Sequence, residues 1–305
     1  MSNKIKNAFT IKDLENLSGI KAHTIRMWEK RYNMLEPMRT ESNIRYYDTY
    51  NLQKLLNVST LNSFGYKISA IAKMPLEKIP ALVKEILSNK SMSNHVLNNF
   101  KMAMMNFDLP LFSATYATLQ SEKSFKAIFY EFFMPLLAEI GHLWQTGTIT
   151  PAHEHFISAL IRQKIAANTE KLQLIPPTKT DRVYVLYLPE NEIHEIGLML
   201  INYELLLHGY KTLYIGESMP VNFLKSIKDH FDNITFITYS ISYPFAEDIN
   251  QYIRTVKSEI VNDENTMLYL FGKNAHHINP ALINENIKIF NSIDEFTDTL
   301  QLTNS

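Results

Sequence analysis

The sequence predicts a multidomain chain of the α and α/β classes: a winged helix-turn-helix, then a helical bundle, then a doubly wound parallel sheet of Rossmann-like, flavodoxin type. Three observations carry this. Residues 9–47 hold two short amphipathic helices around a glycine, then turn residues between arginine-bearing ends. Residues 76–176 carry apolar stripes at helical spacing with short connections. From Asp181 onward, short apolar runs alternate with helical patterns, which parallel sheets require because each strand needs a crossover to the next.

The chain has 305 residues, enough for two or three domains with real cores. With no Cys there is no disulfide framework, thiolate metal site or thiol nucleophile, and a reducing compartment fits. No apolar run approaches the length of a membrane span, and the segment Met1–Lys6 lacks the apolar core of a signal peptide, so the expectation is a cytoplasmic protein with no membrane partner. The net charge of −1 conceals an asymmetry: residues 1–75 carry 12 Lys/Arg against 6 Asp/Glu, and the remainder 18 against 25. A basic front on an acidic body suggests a polyanion partner for the front alone.

Thr10 is placed to cap a first helix through Ser18, with Asp13 three residues on, and Gly19 ends it. A second helix follows from Lys21 to Tyr32, with Ile25 and Trp28 apolar and Arg26, Lys30 and Arg31 basic. Such a helix fits the major groove, where Thr24 and Arg26 reach base edges or phosphates. Glu36–Tyr47 reads as a β-hairpin wing, Thr49–Phe64 as a third helix, and Gly65-Tyr66 as a turn. The opening Thr10-Ile11-Lys12-Asp13-Leu14, the helix Thr24–Tyr32, Arg39 with Arg45-Tyr46-Tyr47, and Gly65-Tyr66 resemble the DNA-binding domain of the MerR family over about the first 75 residues. That resemblance implies a double-stranded operator DNA partner, recognition-helix roles for Thr24, Arg26 and Arg31, and wing roles for Arg39, Arg45 and Tyr46. Trp28 and Tyr47 read as packing residues. Asn43-Ile44 stands where the family often has a glycine.

No sustained heptad follows. Leu76–Leu87, His95–Phe107, Asp108–Leu119, Glu122–Trp144 and Pro151–Leu174 instead give a bundle of four or five helices over residues 76–176. The strands expected in residues 180–305 are Arg182–Leu188, Lys211–Gly216, Ile234–Ile241, Met267–Phe271 and Ile287–Phe290; helices begin near His194, Pro220, Pro244 and Pro280, and a last one spans Ile293–Leu300.

His194, in Glu192-Ile193-His194-Glu195-Ile196-Gly197, falls where the first strand ends and a helix begins, the edge at which parallel sheets bind ligands. A neutral imidazole there can ligate a metal through one nitrogen while the other bonds a carboxylate, and Glu192 and Glu195 are both available for that. A histidine in such a loop also serves as an ordinary surface residue, and the local sequence leaves both readings open.

The spacing of Trp144 with Glu154-His155, the Glu-x-His-x-x-Gly segment and the order of modules resemble the cobalamin-dependent MerR-type regulators of the CarH/LitR photoreceptor group, over essentially the whole chain. The resemblance implies cobalamin (adenosylcobalamin or methylcobalamin) held between cap and sheet domains. His194 would ligate cobalt, Glu192 would orient it, Gly197 would complete the fingerprint, and Trp144, Glu154 and His155 would lie at the upper face. Ser240, Ser242 and Gly272 would line the pocket for the nucleotide tail. It further implies a homo-oligomer, dimer or tetramer, whose operator binding responds to the ligand and to light. Glu192 replaces the family's Asp, Lys273 a glycine, and Gln145 the histidine that light-sensing members use on cobalt's upper face. With Gln145 there, no stable two-histidine adduct is expected after illumination. Two other classes compete. One is a regulator whose sensor domain no longer binds cobalamin and serves only oligomerisation. The other is a corrinoid-carrying methyl-transfer protein, against which the DNA-binding front argues.

Overall fold

The computed structural model describes residues 8–41, 43–87 and 93–302. The chain divides into two compact units, Met1–Ala159 and Leu160–Ser305.

In the first unit, α1 (Ile11–Ser18) opens on a capping box: the Asp13 amide donates to the Thr10 hydroxyl and the Thr10 amide to the Asp13 carboxylate, at 3.2 and 2.8 Å. Gly19 closes it in the left-handed region, at φ 74°. The chain continues through α2 (Ala22–Tyr32), the antiparallel pair β1 (Met38–Arg39) and β2 (Arg45–Tyr46), α3 (Thr49–Ser63) and α4 (Ile68–Ile71). Leu14, Leu17, Ile25, Trp28, Leu52 and Leu55 are buried in this head. Tyr47 is fully buried and pairs its backbone with Phe9.

Helices α5 (Lys78–Leu87), α6 (Ser93–Asn106), α7 (Leu109–Gln120), α8 (Phe125–Ile128), α9 (Met134–Gln145) and α10 (Pro151–Gln173) follow. The long helix expected over Glu122–Trp144 starts later, because the Ser124 hydroxyl caps the Ala127 amide, and it contains a π-turn at Phe129–Phe133. There the Met134 amide reaches back five residues to the Phe129 carbonyl, just before Pro135, whose missing N–H breaks the regular ladder. Phe133 packs in an aromatic group with Phe100, Phe112 and Phe129, at ring separations of 5.5, 6.2 and 5.9 Å.

The second unit is built on a five-stranded, wholly parallel sheet. Its elements are β3 (Lys179–Pro189), α11 (Ile196–Leu207), β4 (Tyr210–Met219), α12 (Val221–Lys228), β5 (Ile234–Tyr239), α13 (Ile249–Glu259), β6 (Thr266–Phe271), β7 (Ile287–Ile289) and α14 (Ile293–Leu302), in the order β4-β3-β5-β6-β7. Val183–Leu188 of β3 are all buried, as a strand covered on both faces must be. The core lies between Val185, Tyr187, Phe236 and Leu268 on the strands and Ile249, Ile253 and Val256 on α13.

Three expectations in this unit need correction. The segment at Pro280 is a single 3₁₀ turn, Pro280–Leu282, because Ile283 returns at once to extended backbone. The helix expected near Pro244 begins at Ile249, and β5 stops at Tyr239 rather than Ile241, since the intervening amides are engaged elsewhere, as described below. Among the described residues no helix is long and apolar enough to cross a membrane.

Phe133→Ala should lower the unfolding free energy of the helical unit by about 3–5 kcal/mol, the usual cost of emptying an aromatic core position. Leu109→Ala, at an exposed position on α7, should change it by no more than about 0.5 kcal/mol. Urea titrations of the two variants check both.

Candidate functional site

In an open parallel sheet the crevice opens where successive strands are laid down on opposite sides of the first. Here β4 lies on one side of β3 and β5 on the other, so the loops after β3 and β5 flank that point. Glu192 sits in the first loop and is fully buried. Its Oε1 accepts from the backbone N–H groups of Ile193 and His194, at 2.9 and 3.0 Å, and from His194 Nδ1 at 2.5 Å. Its Oε2 accepts from the amides of Ile241, Ser242 and Tyr243 in the second loop, at 2.9, 2.7 and 2.9 Å. Those three amides are what end β5 early and delay α13.

Burial pushes the Glu192 carboxyl up, but the His194 imidazole and the amides of Tyr243, Ser242 and His194 outweigh it and hold its pKa at about 2. The carboxylate is therefore ionised at neutral pH and keeps the hydrogen on His194 Nδ1, so any metal would be taken through Nε2. The His194 side chain is 46 % exposed, and Ile193 and Ile241, one from each joined loop, are exposed as well. Glu195, the other candidate orienter, turns away: it accepts from Arg162 Nη1 at 3.3 Å and from the Tyr214 hydroxyl at 3.1 Å.

Gly197 lies in the first turn of α11, where a Cβ would stand 2.6 Å from the Tyr239 ring. Gly272, at φ 95°, leaves no room either, because a Cβ there would stand 2.3 Å from the Ser240 carbonyl oxygen. The buried Ser240 hydroxyl donates to the Tyr243 carbonyl at 2.8 Å, and Ser242 contributes its amide to Glu192. Lys273 is exposed at the start of a 3₁₀ turn.

The remaining ligand candidates lie in the other unit. Trp144, in the last turn of α9, is 56 % exposed. The side chain of its neighbour Gln145 lies outside the described residues. On α10, Glu154 accepts from the Ser158 hydroxyl at 3.0 Å and faces His155 Nε2 at 3.3 Å. His153 is buried and stacks on Phe107.

In the head, Arg26, Lys30 and Arg31 are exposed on α2, and Thr24 is half-buried near its start. Arg39 is exposed and donates to Asn43 Oδ1 at 2.7 Å, across the turn of the wing, where Asn43 adopts φ 64° in place of a glycine. Tyr46 is half-buried. Glu29 on α2 accepts from Arg45 Nε at 3.0 Å and from the Tyr47 hydroxyl at 2.8 Å, so it bolts the wing to the helix. Burial first, and then the Glu29 carboxylate, push the Tyr47 phenol well above its ordinary value, so it remains a donor. The sequence pattern did not mark Glu29, because a polar residue on a basic helix carries no signal until its wing partners are known. Tyr239 was hidden for a similar reason: the requirement for a glycine at 197 comes from a ring 42 positions later in the chain.

Residues 9–77 match the MerR HTH family regulatory protein, and residues 96–168 match the B12 binding domain. The chain joins a MerR helix-turn-helix module to a B12-binding domain. The HTH-type transcriptional repressor CarH of Myxococcus xanthus is 26 % identical over 221 residues, which are 70 % of this chain and 73 % of that protein. The HTH-type transcriptional repressor CarA of the same organism is 24 % identical over 212 residues, 69 % and 68 % of the two chains. Among solved structures, the monomethylamine corrinoid protein of Methanosarcina barkeri superposes with a TM-score of 0.55 at 12 % identity, over 69 % of this chain and 99 % of that one, a likeness of fold.

The Glu192 clamp has a pH signature. Its folded pKa lies below the ordinary value of 4.5, so its contribution to stability is complete above that value and is lost as pH falls toward about 2. Glu192→Gln should therefore be less stable than wild type at neutral pH, with the difference shrinking through that window. Chemical denaturation at a series of pH values reads it, and a pH-independent difference would contradict it.

Proposed function

We propose that this chain is a DNA-binding transcriptional regulator whose operator binding and oligomeric state respond to bound cobalamin. The observation that carries the reading is the imidazole of His194, held at the sheet's switch point in one tautomer by a buried, ionised carboxylate. Among the described residues no group of three or more His, Cys, Asp or Glu is placed to hold a metal ion. A metal taken by this lone imidazole must bring most of its own ligands, and cobalt in a corrin ring does so. The exposed Ile193 and Ile241 beside it suit an apolar macrocycle.

In this reading His194 ligates cobalt and Glu192 orients it. The resemblance to the regulators gives Trp144, Glu154 and His155 to the same ligand's upper face, Gly197 to the histidine's fingerprint, and Ser240, Ser242 and Gly272 to the nucleotide tail. An alkylcobalamin supplies a cobalt–carbon bond that light can break, so ligand state can report illumination. Thr24, Arg26, Arg31, Arg39, Arg45 and Tyr46 contact operator DNA from a head spanning residues 1–75, followed by a cap over 76–176 and a sensor sheet over 180–305. Assembly as a homodimer or tetramer places several heads on one operator. The role is regulatory rather than enzymatic, and it acts in the cytoplasm.

One observation favours a second reading, in which the sheet serves only oligomerisation. Tyr239 packs against Gly197 and stacks on Phe271, and the Ser240 hydroxyl is committed to Tyr243, so the fold itself uses groups that the resemblance gives to the cobalamin site.

Protein mixed with excess adenosylcobalamin in the dark and then desalted separates the two. Retained ligand with the absorbance of imidazole-coordinated cobalamin, lost in His194→Ala, supports the cofactor reading. A wild type that retains none leaves the oligomerisation reading. For DNA, a duplex selected from random sequence by the wild-type protein serves as the probe. Arg26→Ala should weaken its binding by about 1–3 kcal/mol if the side chain meets a base, or lower the salt slope by about 1 if it meets a phosphate. A gel-shift series in salt distinguishes these outcomes, and unchanged affinity and slope would remove Arg26 from the interface.

A further inference from the structure

Within the first unit, the head packs α3 on α5 and α6 of the bundle, and a set of polar groups on α1 and α3 adds links beside that packing. Lys101 on α6 is buried, and its ammonium donates to the Leu17 carbonyl at 3.4 Å and pairs with Glu139 on α9. Leu17 lies in the last turn of α1, where unsatisfied carbonyls concentrate the helix's partial negative charge, so one cation answers two negative groups on different elements. A second link joins Asn16 Nδ2 on α1 to the hydroxyl of Thr148 at 2.9 Å. Thr148 is fully buried in the turn between α9 and α10. A third joins Asn98 on α6 to Thr60 on α3 at 3.3 Å. A cavity of about 550 Å³ borders these links, lined by Ser18, Ser59, Ser63 and His142 together with Leu97 and Leu143.

We propose that Lys101, Glu139 and the Asn16–Thr148 bond form a releasable clasp that fixes the orientation of the DNA-binding head on the bundle. A charged link differs from apolar contact because opening it returns the buried Lys101 ammonium to water, where Glu139 already lies in part, and that regained hydration offsets much of the lost attraction. Docked and released heads are then close in free energy, and a small bias at the clasp moves the population. The bias has an evident source. Helix α9 carries both Glu139 and Trp144, and the turn that holds Thr148 leads into α10 with Glu154 and His155. A ligand acting on Trp144, Glu154 or His155 therefore acts on the elements that hold the head. This coupling half rests on the cobalamin reading; the docking half does not.

The chain has no Cys, so labels attach only where cysteines are introduced. Spin labels at Tyr50→Cys on α3 and Leu109→Cys on α7, both exposed positions, report the distance between head and bundle in the full-length protein. The expected result is a narrow distance distribution that broadens in Lys101→Met and in Asn16→Ala, with helix content unchanged by circular dichroism. Asn16→Ala removes one hydrogen bond and strands no buried charge, so it stands if Lys101→Met fails to fold. The ratio of affinities for the selected duplex, with and without adenosylcobalamin, should also fall to within about twofold of unity in the variants. Distances as narrow in both variants as in the parent overturn the clasp. Broadened distances with an unaltered ratio overturn the coupling. If the wild type retains no adenosylcobalamin, the cofactor reading and the coupling fall together, and the distances alone decide the docking.

Discussion

A single carboxylate with five backbone N–H donors and an imidazole around it is an unusual concentration of hydrogen bonds, and the sheet unit is arranged to supply it. Three of the donors come from the loop after β5, which the strand order brings beside the loop after β3. A buried carboxylate without such partners would either pick up a proton or cost several kcal/mol. The cost of leaving it unsatisfied explains why β5 ends at Tyr239, why α13 waits until Ile249, and why His194 is turned with Nδ1 inward. The side chain length matters for the same reason: both oxygens must reach donors on different loops, and Glu192 has one methylene more than an aspartate with which to span them.

The head uses a related device at its surface. Glu29 collects Arg45 and Tyr47, so β2 and α2 are held by one carboxylate, while Tyr47 continues inward to pair its backbone with Phe9. Groove recognition depends on several side chains keeping a common register, and a wing free to swing would lose contacts made by the helix. Arg45 thereby carries two demands. It braces the wing through Nε while its side chain stays 40 % exposed, and in the proposed reading it would also meet DNA. Arg39 is fixed more locally, by Asn43 across the turn of the wing.

Much of this was legible in the sequence because the signals are local. Thr10 with Asp13, Gly19 and the alternating apolar runs each act within a few residues of the structure they specify, and the parallel order of the sheet follows from strands joined by crossovers. The site was legible in part: Glu192 and Glu195 both stand near His194 in sequence, and the structure selects Glu192. Partners distant in sequence could not be read. Nothing in residues 192–197 says that the amides of 241–243 complete the carboxylate's shell, that Tyr239 is the reason for Gly197, or that Glu195 is taken by Arg162 and Tyr214. Lys101 was hidden for the opposite reason. It stands in an otherwise apolar stretch of α6 as a residue that ordinarily stays at the surface, and only the packing shows that it is buried against α1.

These two polar constructions differ in how easily they open, and that difference bears on how such a chain can work as a switch. The Glu192 shell is made almost entirely of backbone donors from two loops, so opening it would break five of their hydrogen bonds at once. The imidazole is consequently ordered before any ligand arrives, and a ligand binding there spends none of its binding free energy on arranging His194. The head junction holds two ions and a few side-chain hydrogen bonds beside a cavity, and water can replace each of them. A ligand shifts a population only by its differential affinity for the two states. When the binding loop is the same in both states, that difference has to arise where the chain has two arrangements of similar free energy. In the proposed reading, the imidazole loop would confer affinity and tautomer, and the head junction would be where the same binding event acquires a consequence for DNA.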